Sequence, residues 1–392
     1  MKNGLVQPYF SLTKDLKVDF VVVGGGISGA LTARSLAIAG ASVVLLDKRH
    51  IAMGSTSAST ALLQYDIDRT LSELIDLMGE SIAVRAYELS LKALKDLEQI
   101  AAGLALDNDF ETRLSIRFAK FKKDVPMIEK EYEVRKQNGF DVELWDAATV
   151  AKRFPFSAPA ALATRPSATV DPYLLTHGLL LDAAVKGVKI FDKTPVERIE
   201  RSKNGVTIHT ASGHRIKARK VVIACGYESV NYLPGKIGTL NSTFAFVTEP
   251  LPQKTPWFEN AIFWNTADPY IYCRTTADNR IVFGGEDEPF YDPAKRDALV
   301  DSKTNKLSKQ LKELFPDIPF KVDYSWAGTF IETDDGLPYI GTIRQLPHTY
   351  FALGYGGNGI TFSQLAADIL TDLLIGKKNA DADIFSFDRT TA

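Results

Sequence analysis

Residues 18–47, VDFVVVGGGISGALTARSLAIAGASVVLLD, restrict the chain more than any other stretch. Val18–Val23 is an apolar, β-branched run, as a parallel strand buried on both faces requires. Gly24-Gly25-Gly26-Ile27-Ser28-Gly29 then forms a G-x-G-x-x-G fingerprint. Gly24 suits a tight turn, Gly26 lets a pyrophosphate approach the backbone, and Gly29 lets the next helix lie close to the strand. Ala30–Ala39 carries Leu31 and Leu36 on one side as a helix, and Gly40 stops it. Ser42–Leu46 reads as a second strand and ends in Asp47, 18 residues after Gly29, where a carboxylate can accept ribose hydroxyls. Strand, glycine turn, helix and acid together predict a dinucleotide site with the pyrophosphate on a helix N-terminus. The motif leaves FAD and NAD both open.

At 392 residues the chain predicts two domains. Apolar residues make up 45% and charged residues 24%, a globular balance. A net charge of −2 argues against a nucleic-acid partner. Cys225 and Cys273, the two cysteines, are too far apart in sequence to suggest a zinc spacing or a disulfide framework, so a reducing, cytoplasmic location is expected. Met1–Lys17 lacks the apolar core of a secretory signal, and no apolar run is long enough for an integral membrane segment.

Gly54–Thr60, GSTSAST, is too polar for core and reads as a cofactor-wrapping loop. Leu71–Leu104 has helical periodicity broken near Gly79. Glu111–Ala119 reads as a strand, Lys122–Asn138 as an amphipathic helix and Trp145–Phe154 as a short helix. Asp171-Pro172 opens another helix with an N-cap and an N1 proline, and His177 within it is expected to be solvated or capped. Val188–Phe191 reads as a strand. Val196–Arg201, Val206–Thr210 and His214–Lys217 form a meander, and Lys220–Ala224 is a buried strand ending in Cys225-Gly226. Cys225 is expected to be a small core residue rather than a nucleophile. Thr239–Pro250, Ala261–Trp264, Tyr270–Arg274 and Arg280–Gly285 are aromatic-rich strands of a second domain. An amphipathic helix follows over Asp301–Phe315, then a strand over Tyr324–Thr329. The chain closes on a strand (Tyr350–Leu353), a glycine loop (Gly354–Gly359) and a helix from Ile360 to about Leu374. No G-K-[ST] follows, so this loop is not a phosphate-binding lysine loop. A helix N-terminus there suits a site of developing negative charge.

In their order and spacing these motifs resemble the D-amino acid oxidase-like family of FAD-dependent oxidoreductases, the group of glycine oxidase, sarcosine oxidase and D-amino acid dehydrogenase. The resemblance rests on VVVGGGISG (Val21–Gly29), GSTSAST, VVIACG (Val221–Gly226), WAGTFIETDDGLPYIG (Trp326–Gly341) and GYGGNGI (Gly354–Ile360). It implies an α/β fold: a Rossmann-like FAD-binding domain with an interleaved second domain on a mostly antiparallel sheet flanked by helices. The FAD-binding domain is expected over 1–75, 155–235 and 330–392, and the substrate domain over 76–154 and 236–329. The implied cofactor is non-covalent FAD, since the covalent-flavin cysteine of some relatives is missing near the tail. Gly24, Gly26, Ile27, Ser28 and Gly29 would face the pyrophosphate, and Asp47 and Lys48 the adenosine side. Family members usually place a glutamate where Asp47 stands. Ser55, Thr56 and Ser57 would line the flavin side, Val196, Cys225 and Gly226 would also contact the cofactor, and Gly357, Asn358, Gly359 and Ile360 would stand at the flavin pyrimidine.

The implied reaction oxidises a C–N bond of an amine or amino-acid-like substrate by hydride transfer to flavin N5, with O2 or another acceptor taking the electrons. Phe244, Phe246, Tyr270, Tyr272 and Trp326 could form aromatic walls. Arg274, Tyr272, Trp326 and Asn358 are the candidate catalytic residues, with Arg274 gripping a substrate carboxylate. Two departures from the family stand out. The arginine that glycine-oxidase-like members carry after Trp-x-Gly is replaced by Thr329-Phe330-Ile331, and the oxygen-promoting lysine of sarcosine-oxidase-like members is missing from Arg280–Gly285. Two alternatives are a flavin-dependent 2-hydroxy acid dehydrogenase, needing His50, Glu332 or Asp334 as base, and a flavin-binding protein without turnover.

Overall fold

The computed structural model describes residues 7–252 and 257–389. Residues 1–6 of the polar N-terminal stretch and 390–392 of the last expected domain segment lie outside the described residues. Two sheets organise the chain. The first has the order Tyr339–Thr342, Thr349–Leu353, Arg215–Ile223, Leu16–Val23, Val43–Leu46, Lys189–Phe191. Leu16–Val23 pairs in parallel with Val43–Leu46 on one side and Arg215–Ile223 on the other. These strands are covered on both faces, which is why Val21, Val22, Val44, Leu45, Val221 and Val222 form continuous apolar runs rather than an alternation. The helix Ile27–Ile38 returns the chain from the first strand to the second. The C-terminal ends of the central strands thus open at the point where strand order reverses, the usual position of a dinucleotide in such a sheet.

The second sheet has the order Val322–Glu332, Thr239–Thr248, Ile281–Glu288, Tyr272–Thr275, Ala261–Asn265, Glu111–Phe118, Ala160–Thr169, Leu62–Gln64, with Asp141–Asp146 paired to Ala160–Thr169. Its pairing is antiparallel except between Ala261–Asn265 and Glu111–Phe118. Val300–Leu314 is amphipathic and buries Leu307 and Leu311 in the core of this sheet beside Phe246, Phe283 and Phe315.

The two sheets interleave in sequence more finely than the expected boundaries. Leu62–Gln64 and Ala160–Thr169 fall in stretches assigned above to the FAD-binding domain, yet both pair in the second sheet. Neither stretch has a clean alternation, because Ala160–Thr169 is buried along most of its length. The region read as one short helix, Trp145–Phe154, divides into the end of strand Asp141–Asp146 and a helix over Ala147–Arg153 capped by the Asp146 carboxylate. Gly79 separates two helices, Leu71–Met78 and Glu80–Ala102. His214–Lys217 and Lys220–Ala224 merge into one strand, Arg215–Ile223. His177 is neither solvated nor capped. It is fully buried, lies against Tyr9 and Tyr173, and has no hydrogen-bond partner at either ring nitrogen, so burial pushes its pKa down to about 4.

Candidate active site

Between the sheets lies a cavity of about 600 Å³. Two helix N-termini, those of Ile27–Ile38 and Gly359–Ile375, border it. Ser28 Oγ and Ser363 Oγ lie 2.7 Å apart and tie the two first turns together. Free N–H groups and aligned peptide dipoles at two such ends favour negative charge in the space they share.

At one end, the backbone leaves no room for side chains. A Cβ on Gly29 would lie 1.8 Å from the Gly24 carbonyl oxygen, and Gly24 itself has φ +112° with Ala224 O crowding any Cβ at 2.3 Å. Thr56 Oγ1 accepts the Ile27 N–H at 3.0 Å, which fixes the short turn Ser55–Ala58 against the helix start. Asp47 accepts the Gly25 N–H and the Arg49 N–H, each at 2.7 Å. Burial pushes its carboxyl up, and those two N–H donors hold it down against that rise. Lys48 pairs with Glu228 at 2.7 Å beside it. Cys225 Sγ donates to Val23 O at 3.2 Å, and burial pushes its thiol up to about 12. It is a neutral packing group at the cavity edge rather than a nucleophile.

At the other end, the glycine loop before the last helix is tied to residues 64–68. Asn358 Nδ2 donates to Asp66 O, Gly357 N–H donates to Asp68 Oδ2 at 2.9 Å, and Thr361 Oγ1 donates to Gln64 O at 3.2 Å. Asp66 is in turn paired with Arg135, whose guanidinium is fully buried and also meets Glu131 Oε1 at 2.6 Å. Glu131 accepts the Leu71 and Ser72 N–H groups at a helix start. A buried ionic network therefore sets the height of the loop over the cavity.

Of the expected cofactor residues, Gly24, Gly26, Ile27, Ser28, Asp47, Lys48, Ser55, Thr56, Val196, Cys225, Gly226, Gly357, Asn358, Gly359 and Ile360 all line this cavity. Gly29 stands behind it as a packing residue. Ser57 also stands off it, its Oγ donating to Gly54 O at 3.0 Å. Tyr272, Trp326, Phe244 and Tyr270 line the cavity, whereas Phe246 belongs to the core beneath.

Arg274 is not brought to the cavity wall. Its Nε donates to Thr60 O and its Nη1 to Thr275 O at 3.2 Å, and burial pushes it down to about 10. Tyr272 and Arg274 share a face of this strand, but the Arg274 guanidinium is spent on the Thr60 and Thr275 carbonyls at the strand end. Trp326 Nε1 donates to Ala58 O at 2.9 Å. Both side chains thus hold the 58–60 loop in place from behind or above.

Asp66, Asp68, Thr243, Asp287 and Arg296 also line the cavity and were not foreseen. Asp66 and Asp68 sit in a loop without a motif, and Asp287 ends a strand whose pattern is dominated by its apolar part. Burial pushes the Asp68 carboxyl up to about 6, and burial with the Asp68 charge beyond it pushes Asp287 up to about 7. His50, by contrast, lies off the cavity and pairs with Asp192 at 2.9 Å; Glu332 and Asp334 do not line it either.

Residues 19–373 match the family model described as "DAO: FAD dependent oxidoreductase". The chain belongs to that family. It is 27% identical to the glycine oxidase of Bacillus subtilis over 398 residues, covering 95% of this chain and 97% of that protein. It is 25% identical to the probable oxidoreductase OrdL of Haemophilus influenzae, covering 93% and 84%. The crystal structure of glycine oxidase from Geobacillus kaustophilus superposes with a TM-score of 0.80 at 21% identity, covering 96% of this chain and all of that one. This family member is an FAD-dependent oxidoreductase with the fold expected from its sequence. The residues present fit the cofactor: the cavity is bordered by a glycine turn crowded against any Cβ and by two helix N-termini, groups that suit a pyrophosphate and developing negative charge. Among the described residues, no helix is long and apolar enough to cross a membrane, and no group of side chains suits a metal ion.

Proposed function

We propose that this enzyme oxidises a C–N bond of an amine or amino-acid-like substrate, giving an imine that water then hydrolyses. FAD, held non-covalently, supplies the hydride acceptor at N5. The observation that carries this reading is one cavity lined both by the glycine turn and Asp47 and by Tyr270, Tyr272, Trp264 and Trp326. The Gly24–Gly29 turn would hold the pyrophosphate and Asp47 the ribose. The N-terminus of Gly359–Ile375 would face the pyrimidine and favour the charge that reduction leaves there. The aromatic side chains would exclude water and orient the substrate. Arg274 and Trp326 would act by positioning the 58–60 loop. Oxidation of an uncharged amine asks for no strong base, whereas a hydroxy acid does; His50, Glu332 and Asp334 lie off the cavity, which leaves Asp68 and Asp287 on its wall as the base candidates for that second reading.

The reading is tested by anaerobic mixing of the FAD-loaded protein with a panel of amines, amino acids and 2-hydroxy acids. Bleaching of the flavin band by a C–N compound is the expected result. Bleaching by hydroxy acids alone refutes the bond assignment, and no bleaching by any compound indicates a flavin-binding protein without turnover.

A further inference from the structure

The half of the cavity beyond the glycine loop is acidic. Asp66, Asp68 and Asp287 all line it. Asp66 is 1% exposed, and its Oδ2 has no hydrogen-bond donor among the described residues. The buried Oδ1 of Asp287 likewise has none, while the Thr243 hydroxyl serves the Asp287 carboxyl from the next strand. The Asp68 charge raises the proton affinity of Asp287, and Glu332 adds to both.

Little positive charge offsets them at the wall. Of the cations that line the cavity among the described residues, Lys48 and Arg49 pair with Glu228, and Arg296 is engaged with Thr329 Oγ1 and Asp297, each at 2.8 Å. Arg117 stacks on Trp264, 4.5 Å from the ring centre and off the cavity wall; its buried Nε and Nη1 have no acceptor among the described residues, and its charge partly offsets Asp66 and Asp68. Arg135 is consumed by Asp66 Oδ1 and Glu131. Lys303 serves Glu286 and Glu288, outside the cavity. Aromatic side chains share the wall: Phe244, Trp264, Tyr270, Tyr272 and Trp326. Aromatic faces attract cations, and buried carboxylate oxygens without donors demand them.

Resting on the C–N oxidation proposed above, we infer that the substrate is a cationic amine with positive charge beyond its reacting nitrogen, such as a diamine. Asp287, with Asp68 beside it, receives the distal ammonium. A carboxylate at the distal end would meet like charge here, and Arg274 does not line the cavity to hold one on the reacting carbon. The absence of Arg274 from the wall and the Thr329-Phe330-Ile331 sequence point the same way.

Three four-carbon probes of equal length separate the cases: the straight-chain diamine, the monoamine, and the ω-amino acid. Each is titrated anaerobically into the FAD-loaded enzyme. Binding is read from perturbation of the flavin spectrum, and bleaching is read separately. The diamine is expected to bind about tenfold more tightly than either other probe, the scale of one charge-assisted hydrogen bond. In Asp287→Asn the ratio of diamine to monoamine affinity is expected to fall towards one. Equal or tighter binding of the monoamine or the ω-amino acid, or no detectable diamine binding, overturns the inference. The wild-type ratios decide it even if the variant fails to hold FAD. Tight diamine binding without bleaching by any amine leaves the charge assignment standing and removes the C–N oxidation. Bleaching without a charge preference does the reverse.

Discussion

Two glycine-to-alanine changes, at Gly29 and at Gly359, separate packing from cofactor contact. At Gly29 the new Cβ would sit 1.8 Å from Gly24 O, a backbone atom that cannot rotate away. Restoring a 3.0 Å separation requires the helix Ile27–Ile38 to retreat by about 1.2 Å (3.0 − 1.8) from the strand it packs on. Overpacking of this kind costs about 3 kcal/mol, the upper end of the usual range, because both partners are backbone. Alanine's better helix propensity returns about 1 kcal/mol. The net expectation is a loss of about 2 kcal/mol in the FAD-free protein, together with weakened FAD binding. At Gly359 a Cβ meets no protein atom within 4 Å, yet the residue lines the cavity. Gly359→Ala should therefore change FAD-free stability by less than about 1 kcal/mol while weakening FAD binding about tenfold or more. Denaturant unfolding of the apoprotein and FAD titration by flavin fluorescence measure the two quantities. Wild-type FAD affinity in Gly359→Ala would refute the placement of the last helix against the cofactor. Wild-type stability in Gly29→Ala, within about 0.5 kcal/mol, would refute the collision argument.

Other outcomes follow from the same contacts. Arg135→Met leaves Asp66 and Glu131 buried without their cation, so unfolding should become easier by about 3–5 kcal/mol, read by denaturant titration. Trp326→Phe removes the donor to Ala58 O and should weaken FAD binding several-fold with a stability loss of about 1 kcal/mol, seen by flavin titration and thermal unfolding. Arg274→Met should lower stability and FAD affinity through the freed Thr60 carbonyl, without changing selectivity between amines and amino acids; a KM rise confined to carboxylate-bearing substrates would instead place Arg274 on the substrate. Asp68 and Asp287 hold their protons to about pH 6 and about pH 7, above the unfolded value of 3.8. Their contribution to stability is therefore full below pH 4 and is lost as pH rises through those values. The apoprotein should lose stability from about pH 4 to about pH 7, offset in part by His177, whose lowered pKa of about 4 acts in the opposite direction, and Asp287→Asn should flatten that slope in a thermal unfolding series.

The sequence by itself determined the cofactor half of this protein. Val18–Asp47 dictates a buried strand, a glycine turn, a helix and an acid, and the closest approach in it, Gly29 on Gly24, lies within that stretch, whereas the crowding of Gly24 by Ala224 comes from the folded sheet. The glycine loop before Gly359–Ile375 was legible for the same reason: a strand ending, a turn and a helix start are local events. The meeting of these two helix N-termini was not local, because it depends on Thr349–Leu353 pairing beside Arg215–Ile223, more than a hundred residues earlier. Arg274 shows the limit most plainly. Its residue type suited a carboxylate grip, but the end of its strand and the position of Thr60 O decided that it holds a loop. Asp68 and Asp287 show the converse. Neither belongs to a motif, and only the packing of a loop and a strand end around one cavity gives them coupled charge and a place on its wall. Local backbone geometry is encoded by neighbours in sequence, whereas the charge of a pocket is a sum over side chains that only the folded chain brings together.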